Sequence, residues 1–358
     1  MKKRNLLPFL LYLMFGLFVS SCSTNEPAGN HPNVIPSAQS MYVLNQGSWN
    51  QNNSSLTQFN LLNQTATQNW FMLQNNRGLG DTGNDMAIYG GKLYIVMNVS
   101  SDIEVTDLTG KSIKKIPLFN GTVARQPREI AFYQNKAYVC SFDSSVVRID
   151  TASLTVDAMT KAGSNPDGIC VANGKLYVSN SGGLNYPNYS NTVSVIDLAT
   201  FKPVKTITVL VNPFLLKTGN DKKVYLLSRG NYGSIQGALQ QIDPSTDVVT
   251  ATYPNSAAVD FAISGSKLYY CNYDYGTKQS SVKVMDLTTG VAADFISDGT
   301  SIPLASGIAV DDATGNVYIA SSATDYVSNG TVYCFDSTGK KLFSFAVGVN
   351  PWKMVFVR

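Results

Sequence analysis

Asn165-Pro166-Asp167-Gly168-Ile169-Cys170-Val171-Ala172 opens the stretch whose reading decides the fold. A tight-turn sequence, Asn173-Gly174-Lys175, leads into Leu176-Tyr177-Val178-Ser179-Asn180, and a polar, aromatic loop follows. Then come Val193-Ser194-Val195-Ile196-Asp197-Leu198, the turn Ala199-Thr200-Phe201-Lys202, and Lys205-Thr206-Ile207-Thr208-Val209. These are four short runs rich in β-branched and aromatic residues, parted by turn chemistry. No window carries a helical period long enough to compete. The unit is a four-stranded antiparallel sheet.

The unit repeats along the chain. The tyrosine of its second strand recurs at Tyr42, Tyr94, Tyr138, Tyr177, Tyr225, Tyr269 and Tyr318. The end of its third strand recurs at Asn60, Asp107, Asp150, Asp197, Asp243, Asp286 and Asp336. A spacing of roughly 40 to 50 residues is the blade period of a β-propeller. The turns between first and second strands agree, for example Gly90-Gly91-Lys92 and Ser264-Gly265-Ser266. The expected fold is all-β, a seven-bladed propeller over residues 40–358. Asn350-Pro351-Trp352-Lys353-Met354-Val355-Phe356-Val357 matches a first strand with nothing after it, whereas Met41-Tyr42-Val43-Leu44 matches a second strand with none before it. Blade one should therefore be completed by the C-terminal strand, with Met354 and Phe356 in the core.

Composition narrows the partners. Lys and Arg total 27 against 24 Asp and Glu, and Lys2, Lys3 and Arg4 account for the excess. A neutral body offers no electrostatic footprint for nucleic acid. Behind the basic residues, the apolar run 6–19 is short for a membrane span and ends Val19-Ser20-Ser21-Cys22. That pattern resembles a bacterial lipobox, so residues 1–21 are expected to be a signal peptide and Cys22 the lipidated residue. Residues 22–39, with Pro27, Pro32 and Pro36, form the expected tether between membrane and propeller. Ser23 follows the cysteine, which by the same resemblance favours delivery to the outer membrane.

In a propeller the loops between second and third strands share one face with the links between blades. Here those loops vary, and loops that vary on a repeated scaffold carry function. They hold Trp49 (46–54), Tyr186 and Tyr189 (181–191), Arg229 and Tyr232 (229–237), Tyr275 (273–280) and Tyr326 (322–330). Second strands end on the same face at Asn45, Ser141, Asn180, Ser228, Asn272 and Ser321. First strands start there near Asp85, Arg128, Asp167, Phe214, Asp260, Ser306 and Trp352. The expected site is a bowl with an aromatic rim and a mostly uncharged amide and hydroxyl floor. Its candidate ligand-binding residues are Asn45, Trp49, Arg128, Asn180, Tyr186, Tyr189, Arg229, Tyr232, Asn272, Tyr275, Tyr326 and Trp352.

Missing chemistry is equally informative. The single histidine, His31, falls in the tether, so a Ser-His-Asp triad, a Cys-His pair and histidine metal sites are unavailable within the propeller. No catalytic residue, metal site or cofactor is expected. Cys140, Cys170, Cys271 and Cys334 each fall inside an apparent strand with no CxxC pair, and are expected to be buried free thiols. Gly78-Leu79-Gly80-Asp81-Thr82-Gly83 matches GxGxxG, but a strand follows where a dinucleotide site needs a helix. Asp81 and Asp85 are near enough in sequence to share a calcium ion, though an interblade loop is the simpler reading. Arg125, Arg128 and Glu129 concentrate charge at the bowl edge, to bind an anionic group or to pair with one another.

The Tyr-x-x-Asn/Ser and Val-x-Val-x-Asp-Leu units resemble the YncE-like, surface-layer-type seven-bladed propellers over residues 40–358. With the lipobox and tether, the chain is similar to surface lipoproteins of gut anaerobes. One branch of these captures cobalamin and passes it to a TonB-dependent outer-membrane transporter. The resemblance carries over no binding residue, because the loops are its variable part. It implies corrinoid capture on an aromatic-rimmed bowl. A glycan-binding module is the alternative, and a lactonase-like enzyme a lesser one that the absent histidines oppose.

Overall fold

A computed structural model describes residues 37–358. Cys22, His31 and most of the tether lie outside the described residues. Seven four-stranded antiparallel sheets follow one another in chain order. Blade four, the template, comprises Pro166–Ala172, Lys175–Asn180, Thr192–Asp197 and Lys202–Thr208. In blade one, Pro351–Val357 pairs with Ser40–Asn45, with Met41 opposite Phe356 and Val43 opposite Met354. The C-terminal strand therefore closes the ring as the first strand of blade one.

Alternation along each strand explains the packing. Successive side chains point to opposite faces of a sheet, and a blade is covered on both. In Leu176-Tyr177-Val178, Leu176 and Val178 join the core between blades three and four, while Tyr177 joins that between blades four and five. One apolar cluster fills each of the seven interfaces, and each holds one of the repeated tyrosines. Cys140, Cys170, Cys271 and Cys334 are buried and free, and burial pushes the Cys170 thiol up to about 12. These thiols are packing residues.

The repeated Asn/Asp at the third-strand end has a matching local cause. Its Oδ1 accepts the backbone N–H two or three residues on: Leu62 for Asn60, Thr109 for Asp107, Ala152 for Asp150 and Thr200 for Asp197. Ser245, Thr288 and Thr338 do the same for Asp243, Asp286 and Asp336. Asx turns of this kind fold the chain into the fourth strand.

Two small elements depart from the repeat: the helix Trp70–Asn75 before blade two, and a hairpin pairing Phe119–Asn120 with Val123–Ala124 before blade three. Among the described residues no helix is long and apolar enough to cross a membrane.

Candidate functional site: a bowl with a closed floor

First strands begin with a device the sequence pattern does not display. In six blades the register between first and second strands slips at the start of the first strand, as between Pro166 and Ile169 or Ala305 and Gly307. Such a bulge re-aims the side chains it carries. Aligned on this bulge, the second position around the ring reads Asn84, Arg128, Asp167, Phe214, Val259, Ser306 and Trp352. The third reads Asp85, Glu129, Gly168, Leu215, Asp260, Gly307 and Lys353. Asp85 and Asp260 thus belong one layer deeper than a simple count of strand starts suggests.

The second layer forms the floor. Phe214 and Trp352 come from non-adjacent blades, five and one, yet their ring centroids are 6.3 Å apart. Their contact spans the central channel and closes it. Glycine makes this possible: a Cβ on Gly168 would collide with the Phe214 carbonyl oxygen, and one on Gly307 with that of Trp352. Arg229 lays its guanidinium 3.3 Å from the Phe214 ring centroid. Arg128 sits over Phe142 at 4.5 Å and pairs through Nε with Asp167 at 2.7 Å. Both members of that ion pair are largely buried, with 15% and 4% of their side chains exposed.

Above the floor, tyrosines cluster in two arcs. Tyr189 touches Tyr186 and Tyr232 edge-on, at 6.0 and 5.9 Å between centroids. Tyr273 meets Tyr275 edge-on at 5.0 Å between ring centroids. Partial burial, then the neighbouring Tyr275 hydroxyl, pushes the Tyr326 hydroxyl up to about 12. A third arc is Trp49, 73% exposed at the tip of loop 46–54. Asp81 holds that loop by accepting the amides of Asn50 (3.2 Å) and Asn52 (3.0 Å). Tyr232 and Tyr326 adopt φ of 56° and 57°. Bulky residues avoid this left-handed region, and strain of this kind gathers where a side chain must be presented.

Several sequence-derived assignments need correction. Asn45 and Asn180 are fully buried. Asn45 donates to Ser55 and Thr57 hydroxyls and accepts the Gly348 amide; Asn180 donates to Thr192 and Ser194 and accepts the Gly163 amide. Each ties its blade's third strand to the preceding blade, at the end of its outer strand (Gly348) or just past it (Gly163), so neither faces a ligand. Asn272 is half-buried opposite Ser281. Loops 229–237 and 273–280 are shorter than expected, because strands Val224–Gly230, Gln236–Asp243, Lys267–Asp274 and Gln279–Asp286 extend into them. Arg125, Arg128 and Glu129 do not pair with one another: their partners are Asp143, Asp167 and Lys353. Asp85 accepts the amides of Met86 and Ile130, tying blade two to blade three, while Asp81 serves the Trp49 loop. The rejection of the GxGxxG match holds, since Gly83 opens the strand Gly83–Tyr89. Asp167 and Phe214 stand among the expected strand starts but not among the candidate ligand-binding residues, and Phe142 and Tyr273 were not singled out at all.

Comparison with known proteins agrees with the fold. The chain belongs to the family described as Domain of unknown function (DUF5074), which matches residues 39–352. It is 30% identical over 112 residues to the Seven-bladed beta-propeller protein Rv1057 of Mycobacterium tuberculosis. That match covers 30% of this chain and 28% of the relative's length. Among solved structures it is similar to Kuenenia stuttgartiensis hydrazine synthase, with a TM-score of 0.57 and 19% identity over 69% of this chain and 74% of that one. It is also similar to the computationally designed Ika8 protein, with a TM-score of 0.51 and 14% identity over 74% and 87% of the two chains. At these identities the structural likenesses speak for the fold alone.

Proposed function

We propose that this protein is a lipid-anchored outer-membrane surface protein that captures a corrinoid in its bowl and passes it to a TonB-dependent transporter. It acts as a binder and not as an enzyme. The observation that carries the reading is the floor: Phe214 and Trp352 close the channel, Arg229 lies on the Phe214 ring, Arg128 over Phe142 belongs to the same layer, and aromatic arcs rise around them. A corrin ring offers broad apolar faces fringed with amides, which suits stacking on rings and hydrogen bonding to arginine and rim amides. Binding rests on these groups without imidazole ligation of cobalt, since His31 is the sole histidine.

Absorbance and calorimetric titration of the purified protein with cobalamin and cobinamide tests the reading. Micromolar or tighter binding, without the spectral change of histidine replacing the lower ligand, is expected. Silence with both ligands by equilibrium dialysis would sink corrinoid capture. The high exposure of Tyr186, Tyr275 and Trp49 supports the second reading, in which these rings are stacking platforms for a glycan. Anchoring is tested separately. Cys22→Ala should abolish membrane attachment by lipid, and a processed variant that stays in the membrane fraction would mean another anchor.

A further inference from the structure

The described residues include six arginines, and five of them pair with an acid. Arg77 meets Glu104, Arg125 meets Asp143, Arg128 meets Asp167, Arg148 meets Asp157 and Arg358 meets Asp311. Arg229 is the exception: no acid among the described residues pairs with it, and its guanidinium hydrogen-bonds none of them. Asp167, the one acid in the second layer, is already held by Arg128 at 2.7 Å. What Arg229 does have is the Phe214 ring, 3.3 Å from its guanidinium carbon.

So short a distance requires the guanidinium to lie flat on the ring. A ring face attracts the cation but accepts none of its five N–H groups, which radiate in a plane parallel to the ring. Stacking also fixes the fork in advance, so little freedom is lost when two parallel bonds form to one acceptor group. The backbone behind it is pinned. The Arg229 and Gly230 amides donate to the Asn212 and Val211 carbonyls at 2.9 and 3.1 Å, and a Cβ on Gly230 would strike the Ile235 carbonyl oxygen. Arg229 is half-buried near the end of its strand, Val224–Gly230, which leaves the fork open to the bowl. The first tyrosine arc is within electrostatic reach. Slight burial raises the Tyr189 hydroxyl, Tyr232 and Tyr186 add to that, and Arg229 opposes them. A rigid donor fork that lacks an acid of its own fits a ligand that brings an oxyanion, since paired bonds to an ionised acceptor are the strong ones.

We propose that Arg229 is the specificity-determining residue of the bowl, binding an anionic phosphate or carboxylate group of the ligand bidentately while an apolar face of the ligand lies on the Tyr186, Tyr189 and Tyr232 arc. The corrinoid reading supplies the identity of that group: the phosphodiester of cobalamin's nucleotide loop, which cobinamide lacks.

Calorimetry of the full-length protein in detergent with cyanocobalamin, dicyanocobinamide and phenyl phosphate tests this, on wild type, Arg229→Met and Arg229→Lys, with folding checked by melting curves. Wild type should prefer cyanocobalamin to dicyanocobinamide by about tenfold or more, the scale of hydrogen bonds to a charged group. Arg229→Met should remove about that factor from cyanocobalamin and leave dicyanocobinamide within about twofold, as for a group the site does not touch. Arg229→Lys, charged but without the fork, should keep part of the preference. Equal affinities in wild type, a preference that survives Arg229→Met, or an equal loss of both corrinoids in that variant would each overturn the proposal. If both corrinoids are silent, the corrinoid reading falls and phenyl phosphate decides the anchor. Binding tighter than about 10 mM that Arg229→Met abolishes sustains an oxyanion site for another ligand; no binding, or binding that the variant keeps, overturns it.

Discussion

The two faces of the ring are built by opposite rules. On the turn face, seven Asn or Asp side chains perform one operation seven times, each catching a backbone amide to start the fourth strand. On the bowl face, seven equivalent first-strand positions hold seven different residues: Asn84, Arg128, Asp167, Phe214, Val259, Ser306 and Trp352. Repetition marks what any blade needs in order to fold. Divergence at one ring position, with two tyrosines held at positive φ above it, marks what folding alone does not ask for.

The largest expected effect falls on neither face but on the strand that joins them. Deleting residues 350–358 removes the first strand of blade one and uncovers Tyr42 to Leu44 along the ladder. It also removes Met354, which is 8% exposed, and Phe356, which packs at 5.3 Å on Tyr318. Each such side chain contributes roughly 1.5–3 kcal/mol by burial, besides its ladder bonds and the Trp352 half of the floor. The truncated protein should aggregate, or melt on the order of 10 °C lower. An unchanged melting curve would show that the ring closes without its latch.

This closure was legible because a missing first strand at one terminus and a surplus one at the other can be seen in the repeat itself. The blades were legible for the same reason. The floor was legible in part: Arg128, Asp167, Phe214, Ser306 and Trp352 stand at the expected strand starts, but Asp85 and Asp260 stand there in place of Asn84 and Val259. Nothing in the repeat says that the rings of Phe214 and Trp352 meet across the axis. The helix Trp70–Asn75 is too short for its period to register. Asn45 and Asn180 were misplaced because a strand-end amide looks the same in sequence whether it meets solvent or a buried Thr57 or Ser194.

A smaller effect sets the channel against the turn face through pH. Burial, opposed by Lys353 and reinforced by Asp85, pushes the Glu129 carboxyl up to about 7. Lys353 meets three carboxylates and keeps its proton, so Glu129 is the member of the pair that gives way. Burial likewise lifts Asp102 to about 6 against the pull of Lys115. In these acids the folded state holds a proton that the unfolded chain has lost, so stability should rise as pH falls from about 7 toward 4.5. The turn-face aspartates do the reverse. Amides and hydroxyls of Thr200, Thr289 and Thr338 hold Asp197, Asp286 and Asp336 below the usual range, and their contribution is lost as pH drops under about 4. Denaturant melts across pH 3 to 8 should give a maximum on the acid side of neutrality. Glu129→Gln should flatten the limb between pH 7 and 5 and leave the acid collapse in place. A wild-type curve that falls steadily from pH 7 to 5 would contradict this assignment of the channel.

The smallest effects test whether repetition and divergence separate fold from function residue by residue. Asp197→Ala removes two hydrogen bonds, to the Thr200 amide and hydroxyl, both at 2.8 Å. It touches one exposed turn among seven similar ones, so a slight fall in melting temperature is expected and ligand affinity should not change. Tyr232→Ala removes a ring that is 66% exposed and contacts only the edge of Tyr189 within its arc. It also leaves a smaller side chain at a positive φ that bulky residues resist, so the melting temperature should hold. If the arc is the stacking surface of the bowl, the same change should weaken cobalamin binding by about 2 kcal/mol or more, since aromatic anchors dominate such interfaces. The two variants therefore exchange signatures, one visible in stability and silent in binding, the other the reverse. Full binding by Tyr232→Ala, with binding lost instead in Phe214→Leu, would place recognition on the floor alone and make the rim tyrosines solvated bystanders.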